Sequence, residues 1–185
     1  MEEKKVRDLM IPEKEFPAIS SDANFAEALM ALEKAQEEYA SGKTKQRILL
    51  VKDEKGFVIG KLSPIDLSRG LEPGYKDLDE RLKNFTRFGV GYLVKPLKEQ
   101  YWLWSKPFSE LCRKALNEKV KDFMRRPDEN HVIASGDYLS EALHLFVTGS
   151  HDSLFVTENG SVVGLLRFSD IYRMISNSVK HCTKG

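Results

Sequence analysis

Only two cysteines, Cys112 and Cys182, occur in 185 residues. Two isolated thiols make neither a disulfide framework nor a CxxC ligand pair, so a disulfide-stapled or structural-zinc fold is excluded. No apolar run exceeds a few residues, which leaves no segment for a transmembrane helix. The N-terminal stretch MEEKKVRDLM lacks the apolar core of a secretory signal and argues against export. A reduced, cytoplasmic protein is therefore expected. Neither sign of charge is in excess: 29 Lys and Arg face 28 Asp and Glu, leaving +1. That balance supplies no field to draw nucleic acid or an anionic membrane. Also missing are a P-loop, a G-x-G-x-x-G turn and an H-E-x-x-H helix. The four histidines, His131, His144, His151 and His181, show no paired metal spacing. His151-Asp152-Ser153 has the residue types of a catalytic triad, but adjacent residues cannot converge as a triad does. No enzyme is expected, and no metal.

What is present is a repeat. Val6-Arg7-Asp8-Leu9-Met10 returns as Val120-Lys121-Asp122-Phe123-Met124, an offset of 114. At that offset Phe25, Ala28, Leu29 and Leu32 fall on Leu139, Ala142, Leu143 and Phe146. Gly60-Lys61-Leu62 and Asp66-Leu67 return as Gly164-Leu165-Leu166 and Asp170-Ile171, now at an offset of 104. The first copy thus carries ten extra residues, most of them in the polar stretch Gln36 to Lys45. Three blocks in one order make chance an inadequate explanation.

Both copies share one grammar. After the motif ending in Met comes a short extended segment, Ala18-Ile19-Ser20 or Val132-Ile133-Ala134. An amphipathic helix follows; apolar positions 25, 28, 29, 32 and 35 mark its face in the first copy. Asn24 with Glu27 predicts a capping box, and Asp137 stands near the equivalent point of the second copy. A hairpin is next: Ile48 to Val51 and Phe57 to Ile59 around Asp53-Glu54-Lys55-Gly56, or Leu154 to Val156 and Val162-Val163 around Glu158-Asn159-Gly160. Asn-Gly between apolar runs is a strong hairpin signal. A closing helix starts after Ser63 and near Arg167. The expected fold class is α+β, two β-α-β-β-α repeats with a helical, aromatic-rich insert between them. Expected boundaries are 1–75, an insert at 76–117, a second repeat at 118–180 and a tail at 181–185.

These blocks resemble a tandem pair of CBS domains, a Bateman module. The family pattern is a V-x-D-[ILVF]-M opening, an E-A-L helix, a V-x-[DE]-x-x-G hairpin and a G-[IVL]-[IVL]-[ST]-x-x-D-[IL] close. Val6 to Met10, Glu27-Ala28-Leu29, Val51-Lys52-Asp53 and Gly60 to Leu67 fill the first copy. Val120 to Met124, Glu141-Ala142-Leu143, Val156-Thr157-Glu158 and Gly164 to Ile171 fill the second. The resemblance covers about two thirds of the chain and leaves residues 73–117 without a counterpart. It implies two units packed sheet to sheet about a pseudo-twofold axis, with two clefts that commonly bind adenosine-containing ligands. It implies a regulatory module that needs no cofactor, takes an adenine nucleotide (AMP, ADP, ATP or a relative) as ligand, pairs into homodimers and acts on a protein target yet to be identified. The alternative is a structural or partner-docking module with empty clefts.

The family assigns Asp66 and Asp170 to a ribose diol and Ser63 to phosphate at a helix N-terminus. Ser63-Pro64-Ile65-Asp66 is equally a good helix start, with Ser as cap and Pro at the first position. Arg167 departs from the pattern, standing where Ser or Thr is usual. It can bring a fixed charge to a di- or triphosphate, point to solvent, or pair with Asp170 and close the cleft. The adenine pocket would draw on Ala18, Ile19, Val132, Ile133, Leu50 and Phe155, all of which also suit a core.

Residues 76–119 hold ten Lys or Arg against six Asp or Glu. They also hold Phe85, Phe88, Tyr92, Tyr101, Trp102, Trp104 and Phe108. Basic residues among aromatics can mark a nucleic-acid surface. The helical spacing of Leu82, Phe85, Phe88 and Tyr92, and of Leu97, Tyr101 and Trp104, instead predicts faces packed on the module or on a second copy.

Overall fold

The computed structural model describes residues 4–72, 74–75, 106–149 and 151–182. The first repeat runs β1 (Ile11–Pro12), β2 (Ala18–Ser20), α1 (Phe25–Ala40), β3 (Leu49–Lys52), β4 (Val58–Leu62) and α2 (Pro64–Leu71). Then come α3 (Phe108–Ala115), α4 (Val120–Phe123), β5 (Val132–Ala134), α5 (Leu139–Gly149), β6 (Ser153–Glu158), β7 (Ser161–Arg167) and α6 (Phe168–Cys182). The expected β-α-β-β-α order appears twice, and the fold is α+β. The expectations for Phe85, Phe88, Tyr92, Tyr101, Trp102 and Trp104 lie outside the described residues. Phe108, at the start of α3, is exposed. The closing helix of the second repeat continues to Cys182, past the expected end at 180. Lys180 and His181 occupy its last turn, where positive charge suits the helix dipole.

Local chemistry accounts for the elements. The Glu27 N–H donates to Asn24 Oδ1 at 3.0 Å and the Asn24 N–H to Glu27 Oε2 at 2.8 Å, which closes the capping box of α1. Asp137 does something else: its carboxylate accepts the Ala134 N–H at 2.9 Å, ahead of the helix. The β6–β7 turn places Asn159 and Gly160 at φ of 50° and 79°, the left-handed pair that a two-residue hairpin requires.

Two sheets result. One has the order β2-β3-β4, with β2 parallel to β3 and β3 antiparallel to β4. The other has the order β1-β7-β6-β5, with β5 parallel to β6. β1 belongs to the first repeat by sequence but pairs with β7 of the second, Ile11 opposite Leu165 and Pro12 opposite Gly164. The second repeat answers with a bridge between Arg125 and Lys61 on β4, closed by two backbone hydrogen bonds of 2.9 and 3.0 Å.

The exchange extends along both opening motifs. The Val6 and Arg7 N–H groups donate to the Asp137 and Ser135 carbonyls, while Val120 and Lys121 donate to Ala23 and Ser21. Side chains follow the backbone. Val6, Leu9 and Met10 pack with the second repeat's core around Leu139, Phe146, Leu154 and Ile171. Val120, Phe123 and Met124 pack with the first repeat's core around Phe25, Leu32, Leu49 and Leu62. Each opening motif therefore completes the other repeat. Between the sheets a third cluster joins Phe16, Leu50 and Val58 to Phe155 and Leu165. The expected sheet-to-sheet packing is this layer, and burial of its side chains contributes ~1.5–3 kcal/mol each.

Glycine makes the exchange possible. A Cβ at Gly164 would collide with the Ile11 carbonyl oxygen, and one at Gly60 would meet Met124 Sδ at 2.7 Å and the Arg125 carbonyl at 2.9 Å. The glycine that opens each closing motif is thus where the other repeat's opening segment lies against it.

Candidate functional site

A cavity of about 530 Å³ opens along the seam between the repeats. One wall comes from the first repeat: Tyr39 at the end of α1 and the run Lys45-Gln46-Arg47-Ile48 leading into β3. The other is His151-Asp152-Ser153 with Arg167, Phe168, Ser169 and Tyr172, from β6, β7 and α6. Much of the first wall lies in or next to the extra stretch that the second repeat lacks. Among ten candidate residues named from the sequence, Arg167 is the one that lines this cavity. The basic Lys45 and Arg47 and the aromatics Tyr39 and Tyr172 were not singled out. Their signal was the charge in the extra stretch, legible only once its place beside the second closing motif is known.

Arg167 is held at all faces of its guanidinium. Nε donates to Asp170 Oδ2 at 2.7 Å and Nη2 to Asp170 Oδ1 at 2.9 Å. Nη1 crosses the seam to the Lys45 carbonyl at 2.8 Å and to Gln46 Oε1 at 3.0 Å. Of the three roles open to Arg167 in the sequence, the structure shows the pairing with Asp170. Asp170 is buried in the first turn of α6, with Arg173 a further 3.7 Å away. Such a two-pronged pair fixes both partners in direction as well as in charge.

The first repeat carries the same carboxylate with different company. Asp66 Oδ2 accepts the Ser63 hydroxyl at 2.6 Å and the Ser63 N–H at 2.9 Å. Its other oxygen is held by Arg69. Ser63 thus turns its hydroxyl onto Asp66, and the carboxylate is only 2% exposed.

The six apolar candidates separate by depth. Ala18 is exposed; Ile19 and Val132 are half-buried. Leu50 and Phe155 are fully buried in the layer between the sheets, and Ile133 is buried in the core of the second repeat. A ligand reaching these last three would have to displace core packing.

Behind the cavity wall lies a polar cluster that the sequence reading passed over. Lys61, on β4, is 5% exposed. Its ammonium donates to the Ser153 hydroxyl and carbonyl (2.5 and 3.1 Å) and approaches Asp152 Oδ1 at 3.4 Å. Burial pushes this lysine below its usual range, against the pull of Asp152. The rings of His131 and His151 lie against each other, tilted by 39° with centroids 3.4 Å apart. His151, which reads as an exposed loop residue, is half-buried, and its Nε2 is buried without a hydrogen-bond partner. Burial and the neighbouring His151 push His131 down to about 4, with Asp128 at 3.3 Å opposing. Burial also lowers His151. Among the described residues no three His, Cys, Asp or Glu converge as a metal site. Among them, too, no helix is long and apolar enough to cross a membrane.

Residues 120–177 match the CBS domain family model. No curated protein sequence matches the chain. Among solved structures it is similar to CBSX2, a CBS-pair protein from Arabidopsis thaliana, at 19% identity and a TM-score of 0.56, covering 95% of this chain and 96% of that one. CBSX2 in complex with AMP is similar at 18% identity and 0.54, covering 95% and 98%. The CBS domain of the bacterial CNNM/CorC family Mg2+ transporter in complex with ATP is similar at 17% identity and 0.57, covering 95% and 89%. At these identities the likeness is one of fold. Residues 120–177 thus match a CBS domain, and the chain has the fold of the CBS-pair structures.

Proposed function

We propose that this chain is a non-catalytic regulatory module that binds an adenine nucleotide in the seam cavity and signals through altered contacts with a second copy or a target protein. The observation that carries the reading is the cavity itself. Its 530 Å³ falls in the range of small-molecule sites. Lys45, Arg47 and Arg167 outnumber its one carboxylate, Asp152, which suits phosphate. Tyr39 and Tyr172 offer exposed aromatic surface on which a base can stack. The AMP and ATP complexes of proteins with the same fold support the ligand class. Met30 on α1, Ile65 on α2 and Val147 on α5 are each about 70% exposed, apolar surface of the kind that assembly covers.

Calorimetric titration with AMP and ATP tests the reading. Saturable binding of either, lost in Arg47→Ala with Lys45→Ala, is the expected result. No heat from either ligand, and no nucleotide released on denaturing a fresh preparation, would overturn it. A second reading has one observation in its favour. Both Asp66 and Asp170 already hold partners within the chain, which suits a docking module with unfilled clefts.

A further inference from the structure

One imidazole stands where the seam cavity meets the buried polar cluster. His151 lines the cavity, and its ring lies against that of His131, which does not. Its Nε2 is buried without a hydrogen-bond partner. That edge of the ring is seated against Gly149, the last residue of α5, where a Cβ would collide with it. A neutral imidazole with an unsatisfied buried nitrogen is costly, so something must hold the proton away.

The surrounding charge does so. Lys61 on β4 and Arg125 after α4 repel a proton on His151, and burial adds to them. The cavity wall brings Lys45 and Arg47 from the first repeat and Arg167 from the second. Against these, Asp128 and the Asn130 backbone favour the charged ring. The other carboxylates nearby are engaged: Asp152 faces Lys61 at 3.4 Å, Asp66 is closed onto Ser63 and Arg69, and Asp170 holds Arg167 with Arg173 behind it. His131 is the more deeply buried of the pair and is held down to about 4, so the first proton goes to His151.

An anion in the cavity changes this balance. It offsets the field of Lys45, Arg47 and Arg167 on the one side chain of this wall whose charge changes between pH 5 and 8. We propose that His151 couples the seam cavity to protons: an anionic ligand entering the cavity brings a proton onto His151, and mild acid in turn tightens the binding of that ligand. The two effects are one coupling free energy seen from either side. This deepens the nucleotide reading and rests on it for the ligand. The site then responds to nucleotide and acidity together, which fixed charges alone do not achieve. The counterpart of His151 at the offset of 104 is Arg47, on the opposite wall and permanently charged. The switchable cation therefore belongs to the second repeat.

The test is calorimetric titration of AMP at pH 8 and pH 5.5 into the wild-type chain and His151→Gln. An NMR titration of the wild-type histidine ring protons, with and without AMP, accompanies it. Titration of the AMP phosphate itself is common to both proteins and cancels in their ratio. Wild-type affinity relative to the variant rises about fivefold from pH 8 to pH 5.5, the gain from one proton held about tenfold more tightly in the complex. The ring of His151 titrates below 6.5 without AMP, and its midpoint moves up when AMP is added. A wild-type-to-variant ratio that stays constant with pH overturns the proton coupling, while AMP binding leaves the nucleotide reading standing. If His151→Gln does not fold, the wild-type ring protons decide, and a His151 midpoint unmoved by saturating AMP overturns the coupling. A wild type that binds neither AMP nor ATP overturns both readings.

Discussion

Lys61 of the first repeat delivers its ammonium to Ser153 of the second, taking both the hydroxyl and the carbonyl of that one residue. Its counterpart at the offset of 104 is Leu165, fully buried. One repeat thus presents an aliphatic side chain to the interface and the other a charge. Lys61→Ala should destabilise the chain by about 2–4 kcal/mol, since it removes packing and leaves polar groups behind. Lys61→Leu, which copies Leu165, should cost under ~1 kcal/mol or stabilise, because Ser153 Oγ keeps Asp152 at 3.0 Å. Urea denaturation of both variants decides the matter. Equal losses would mean that the polar contacts, and not the volume, hold the seam.

Gly164→Ala places a methyl group against the Ile11 carbonyl, backbone on backbone. A loss of about 2–3 kcal/mol is expected, the range for a steric clash that only main chain can relieve. Gly60→Ala should cost less, since its nearest neighbour is the sulfur of the flexible Met124. Equal thermal stability of wild type and Gly164→Ala would show that β1 is not firmly seated on β7.

The paired histidines give stability a direction with pH. The imidazole of His131 falls from 6.5 to about 4 on folding. Below 6.5 the unfolded chain takes up the proton first, so stability declines as pH falls from 6.5 towards 4 and levels off below. The full shift corresponds to about 3 kcal/mol at the acid end. His131→Gln should flatten that slope, with a smaller part left from His151. Chemical denaturation at pH 7 and pH 4.5 reads the difference. An unchanged slope in the variant would assign the acid sensitivity elsewhere.

Asp170→Ala removes the partner that fixes Arg167 at the wall of the proposed nucleotide cavity. AMP affinity should drop by about 1–3 kcal/mol, the scale of charge-assisted hydrogen bonds. Asp66→Ala should show mainly a stability loss of ~1–2 kcal/mol, because its carboxylate closes the start of α2. Calorimetry and urea melts on the same two proteins separate these effects. AMP affinity untouched by Asp170→Ala would remove the carboxylate from the site.

Much of this architecture could be read from residues in sequence. The extended segments at 18–20 and 132–134 are the strands β2 and β5, Asn159-Gly160 turns the hairpin, and Ser63-Pro64 starts α2. Each depends on neighbours in the chain, which is why pattern exposes it. The exchange of opening motifs was not legible. Val6 and Val120 are buried valines in short turns, and nothing local tells which repeat's core receives them. Lys61 was hidden for the same reason. A lysine in a strand reads as a solvent-facing residue until a serine from the other repeat is found above it. The cavity wall at Lys45 to Ile48 runs from the end of the polar stretch into the hairpin strand, and the residues that give it meaning, Arg167 and Tyr172, are distant in sequence.

The crossed opening motifs also set a schedule for synthesis. Residues 4–72 emerge from the ribosome with the core around Phe25 and Leu49 still lacking Val120, Phe123 and Met124. Val6 waits in turn for Leu139 and Ile171. Closing either core means closing a long loop first, and that entropy must be met before the contacts are gained. A nascent first half should therefore remain a client for chaperones until the second half is out. A gene split between the repeats should yield two halves that are each insoluble alone and soluble when made together.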